Sequence, residues 1–171
     1  MGVRDLKIVT YQNGEELRAG LRCLGDRILD ISSAIGMAQK IGIVDVSLTP
    51  PASVLDIITG GEEMSLACQS VLSAVEAGEL EFVGVRGADV TLVAPIPRPT
   101  KNVFCVGSNY RAHVTEASRV QEKKDTVPKL PVFFTKPPTA VVGPDQSVLL
   151  DPAVSEKIDY EVELAVIIGS P

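Results

Sequence analysis

Leu6-Lys-Ile-Val-Thr-Tyr-Gln12, Leu17-Arg-Ala-Gly-Leu-Arg-Cys23 and Arg27-Ile-Leu-Asp-Ile31 are three short, strand-like runs separated by Asn13-Gly14 and Gly25-Asp26. Side chains alternate between faces with period two along a strand, and Asn, Asp and Gly accept the positive φ of tight hairpin turns. The stretch therefore predicts a three-stranded β-meander. Beyond Pro50-Pro51 the period changes: Met64, Cys68, Val71, Leu72 and Val75 lie on one face of a helix that Gly78 stops, and this helix is expected to pack on the meander. Strand patterns return at Glu81–Val85 and Val90–Ala94. The chain then enters Pro95-Ile-Pro-Arg-Pro-Thr100, where alternate prolines forbid a helix and remove ladder donors. This is the expected boundary between residues 1–97 and residues 98–171. The fold class expected is α+β, mainly β, with a small N-terminal meander-and-helix domain.

Composition narrows the functional classes. With 171 residues, 45% of them hydrophobic, the chain can bury a core but can form no more than two ordinary domains. Sixteen basic against 22 acidic side chains leave a net charge of −6, which gives no general attraction to nucleic acid or anionic lipid. No apolar run approaches the ~20 residues of a membrane span, and Met1-Gly-Val-Arg-Asp5 lacks the apolar core of a secretory signal, so a cytoplasmic protein is expected. Cys23, Cys68 and Cys105 match no zinc or redox spacing and read as reduced, buried thiols.

The chemical signals lie in the second segment. The apolar run Asn102–Val106 ends at Gly107 and is followed by Ser108-Asn-Tyr-Arg-Ala-His-Val-Thr-Glu116, an arrangement of strand, glycine turn and polar helix start that aims side chains into a cleft. His113 is the single histidine of the chain. On a helix Glu116 would share its face, orient the ring and raise its basicity, making His113 a suitable general base. A solvated His-Glu pair on a helix surface has the same spacing. Ala117–Leu130 holds Arg119, Lys123, Lys124 and Lys129 without apolar periodicity; it reads as a loop, either a lid suited to an anionic substrate or a plain linker. Pro131-Val-Phe-Phe-Thr-Lys136-Pro-Pro138 is an apolar strand ending in a lysine that either reaches a substrate carboxylate or caps the strand.

In Ile158-Asp-Tyr-Glu-Val-Glu-Leu-Ala-Val-Ile-Ile-Gly169, a strand would place Asp159, Glu161 and Glu163 on one face and Ile158, Tyr160, Val162, Leu164 and Val166 on the other. Neighbouring carboxylates would then sit roughly 7 Å apart, at ~3.3 Å per residue. Such a pair is self-repelling unless water or a cation neutralises it, and hard cations such as Mg²⁺ and Mn²⁺ take oxygen ligands. An edge strand with a solvated acidic face fits the spacing equally well.

Taken together, Cys105-Val-Gly-Ser-Asn-Tyr-Arg-Ala-His-Val-Thr-Glu116, Pro131–Pro138, Val141-Val-Gly-Pro144 and Asp159–Gly169 resemble, in order and spacing, the opening half of the fumarylacetoacetate hydrolase catalytic domain. The N-terminal meander resembles the small extra β domain of many bacterial members. The resemblance implies part of a mixed, barrel-like β fold holding Mg²⁺ or Mn²⁺, with Glu161 and Glu163 at two ligand positions. It places His113 and Glu116 at the water-activating dyad, with Tyr110, Arg111 and Lys136 as candidate substrate contacts. The activity implied is metal-dependent cleavage of a carbon–carbon bond in a small anionic 2-oxo acid, such as an acylpyruvate, by a homodimer. Isomerisation, decarboxylation or hydration of related acids would use the same enolate. The family's third ligand, an aspartate, and an active-site lysine come later than Pro171, so an incomplete site is expected here. The competing expectation is a catalytically silent binding or assembly module that keeps the fold.

Overall fold

The computed structural model describes residues 5–110 and 130–169. Two compact units divide the chain, Met1–Pro97 with Val142–Pro171, and Arg98–Val141. One cut thus falls inside the proline run, while residues 142–171 group with the N-terminal residues rather than with 98–141.

The first unit is built on an antiparallel sheet. Strands β1 (Ile8–Asn13), β2 (Glu16–Cys23) and β3 (Arg27–Asp30) form the expected meander, and β4 (Gly84–Arg86) and β5 (Thr91–Val93) complete the order β4-β3-β2-β1-β5. The first hairpin turns at Gly14-Glu15, one residue later than expected. Gly14 alone takes a positive φ, +63°, the backbone that lets a two-residue turn follow the strand twist. That turn sets the register, including Tyr11 opposite Arg18. The two later strand patterns were expected to start sooner, but Phe82 instead packs its ring under the Arg27 guanidinium, 3.9 Å from centroid to Cζ. Pairing begins at Gly84, where a Cβ would lie 2.0 Å from the Ile28 carbonyl oxygen. Gly84→Ala is therefore expected to lose the β3–β4 pairing and to cost more than ~1 kcal/mol in urea unfolding, beyond the small backbone-entropy gain of replacing glycine. An unchanged midpoint would show that β4 shifts freely.

Two helices fall where the sequence reading found no pattern. The third strand stops at Asp30 because that carboxylate accepts the Ser33 backbone N–H and caps α1 (Ile31–Lys40). The buried positions of α1, Ile31, Ala34, Ile35 and Ala38, have helical spacing, but two of them are alanines and carry little apolar signal. Helix α2 (Val54–Thr59) starts at a capping box in which Ser53 and Asp56 satisfy each other's backbone N–H groups. The expected long helix is α3 (Gly61–Ala77), ended by Gly78 in the left-handed region, φ +76°. It packs against α1 and α2, while α1 lies on β2 and β3 and α2 on β1. Leu21, Leu29, Ile31, Ile35, Cys68 and Val71 form the fully buried centre of this core.

The second unit contains an antiparallel ribbon of β6 (Val103–Gly107) and β7 (Val132–Lys136), close to the strands expected there. Among the described residues neither sheet closes on itself. The class is thus α+β, with two open antiparallel sheets and three α-helices in the described residues.

Candidate active site

The ribbon positions two of the candidate substrate contacts. Tyr110 follows the Gly107 end of β6, just after Ser108, whose φ of +53° turns the chain sharply out of the strand. Lys136 closes β7 opposite Val103. Those are opposite ends of the ribbon: the four register steps from Val132–Gly107 to Lys136–Val103 span about 14 Å at ~3.4 Å per residue. Within the ribbon Tyr110 and Lys136 are thus not brought together. Lys136 is exposed, and its Nζ lies 5.9 Å from the centre of the Phe134 ring, at the outer range of a cation–π contact. Arg111, His113, Glu116 and the basic stretch 117–129 lie outside the described residues.

Glu161 and Glu163 are both exposed, and here the expected strand is corrected. No ladder forms anywhere in residues 151–169, and the segment buries neither face: Tyr160 is 87% and Val162 93% exposed. A strand needs a partner for its N–H and C=O groups, and none of the described strands pairs with this one. Asp159 turns its carboxylate back on the chain, accepting the Tyr160 backbone N–H at 2.9 Å. Glu161 and Glu163 supply the hard oxygen donors that Mg²⁺ or Mn²⁺ prefers, and in that chemical sense they fit the cation the resemblance implies. Among the described residues no group of three or more histidine, cysteine or carboxylate side chains gathers that could hold a metal ion.

A dense polar cluster among the described residues lies instead on the meander, and the sequence reading missed it. Asp30 accepts the Tyr11 hydroxyl at 2.7 Å, Arg18 Nε at 2.6 Å, Arg18 Nη2 at 3.2 Å and the Ser33 N–H at 2.9 Å. Arg18 directs its remaining Nη1 to Glu16. Burial pushes the Asp30 carboxyl upward, but the bonds from Arg18, Tyr11 and Ser33 outweigh it and hold the group at about 2. Burial, then the bond to Asp30, pushes the Tyr11 phenol up. A cleft of about 330 Å³ opens beside this network, lined by Glu16, Arg18, Asp30 and Ser32 among others. Because the carboxylate accepts four bonds and the guanidinium is shared between two acids, the cluster reads as a structural latch joining β1, β2 and the start of α1. Its signal was present in the hairpin register, which sets Tyr11 against Arg18, and in Gly20 opposite Asp30.

The latch has a pH consequence. Asp30 is held below its unfolded value, so its contribution is complete above about pH 4 and is lost as pH falls toward its folded value near 2. The depression corresponds to about 2 kcal/mol. Between pH 5 and pH 2 the stability of the wild type is expected to fall more than that of Asp30→Asn, as read by urea unfolding at each pH. Parallel curves would show that Asp30 does not titrate with folding.

Residues 102–171 match the profile of the fumarylacetoacetate (FAA) hydrolase C-terminal family. The oxaloacetate tautomerase YisK of Bacillus subtilis is 30% identical over 166 residues, 96% of this chain and 52% of that protein. The mitochondrial oxaloacetate tautomerase Fahd2a of Rattus norvegicus is 35% identical over 171 residues, 97% of this chain and 46% of its own length. A solved structure, fumarylacetoacetate hydrolase from psychrophilic Exiguobacterium antarcticum, matches 81% of this chain and 38% of its own at 24% identity and a TM-score of 0.46. The chain spans about half the length of the curated relatives it matches. The similarity to the fumarylacetoacetate hydrolase C-terminal family thus lies in residues 102–171, which contain every candidate site residue.

Proposed function

We propose that the protein is a divalent-metal-dependent enzyme acting on small anionic 2-oxo acids, with keto–enol tautomerisation of a 2-oxo diacid as its reaction. The observation that carries this reading is the family match over residues 102–171, which takes in His113, Glu116, Glu161 and Glu163 together. The choice of tautomerisation over hydrolysis rests on the two relatives named oxaloacetate tautomerases. Hydrolytic carbon–carbon cleavage of a 2,4-dioxo acid is the second reading, supported by the family's name and by the same proton-handling pair.

Glu161 and Glu163 would hold Mg²⁺ or Mn²⁺ through oxygen. The cation would supply electron withdrawal beside the 2-oxo group, which acidifies the adjacent carbon. His113, oriented by Glu116, would take the proton from that carbon and deliver it to the 2-oxo oxygen, where the electron pair of the broken C–H bond has moved the charge, and the reverse for enol to keto; in the hydrolytic reading it would take a proton from water instead. Lys136, Tyr110 and Arg111 are proposed to bind the substrate's carboxylates, although Tyr110 and Lys136 leave opposite ends of the ribbon. Activity as a homodimer and a cytoplasmic location belong to the same proposal. Among the described residues no helix is long and apolar enough to cross a membrane.

The assay is decay of the enol absorbance of oxaloacetate, run beside loss of a 2,4-dioxo acid, each with added Mg²⁺ or Mn²⁺ and with chelator. Chelator-sensitive enol decay without dioxo-acid cleavage supports the tautomerase reading; the reverse supports the hydrolase. Neither activity in a protein joined to the remaining half of a relative would favour a silent binding or assembly module.

A further inference from the structure

We draw no further inference here: the strongest candidate, the exposed apolar face that Phe104 and Phe133 form on the β6–β7 ribbon, carries nothing because nothing in the structure shows what covers it.

Discussion

Enol decay of oxaloacetate by the 171-residue chain is expected to stay at the uncatalysed level, whereas the same chain fused to the C-terminal half of an oxaloacetate tautomerase is expected to turn over with Mg²⁺ or Mn²⁺. In that fusion His113→Ala should lower kcat by ~10²–10⁴-fold, the usual contribution of a positioned general base. The reason for the contrast lies at Glu161 and Glu163. Both are exposed on a segment with no strand partner, and no third ligand stands near them among the described residues. Mg²⁺ gives up its water reluctantly and gains little from two exposed carboxylates outside any ladder of the described residues. Glu161→Ala in the fusion should therefore require far more metal for half-maximal activity, while Asp159→Ala, whose carboxylate bonds its own backbone, should change little. Robust, chelator-sensitive turnover by the short chain would overturn this account and show that the site is completed from within residues 1–171.

The second large effect is expected in the core under the meander. Leu29 is fully buried at the centre of β3, packed with Leu21 of β2 and the helix residues Ile31 and Ile35. Leu29→Ala removes most of a core side chain from a site closed on the sheet side by its own backbone, so the cavity collapses only in part. The expected loss is about 3 kcal/mol in urea unfolding followed by far-UV circular dichroism. Val162→Ala, at 93% exposure, is the matched control and should shift the midpoint by less than ~0.5 kcal/mol. Equal losses at the two positions would mean that residues 151–169 pack in solution as a strand.

These two results separate what lies in the residues from what lies in their assembly. Local chemistry was legible from the chain: Asn13-Gly14 and Gly25-Asp26 announced the meander, and Gly78 the end of α3. Turns, caps and periods depend on neighbours within a few residues, and those neighbours are printed in sequence order. Helix α1 was not legible, because two of its four buried positions are alanines, which carry little apolar signal, and its start is marked only by the Asp30 cap. Nor was the Tyr11–Arg18–Asp30 latch, which exists only once three strands are in register and a helix starts where the third ends. The candidate site divides in the same way. Its residue types and spacing could be read from the sequence, and the family match spans the stretch that holds them. Whether Asp159–Gly169 forms a strand depends on a ladder partner distant in the chain. Period two supplies the alternation for a strand but not the hydrogen bonds, and tertiary structure alone decides who makes them.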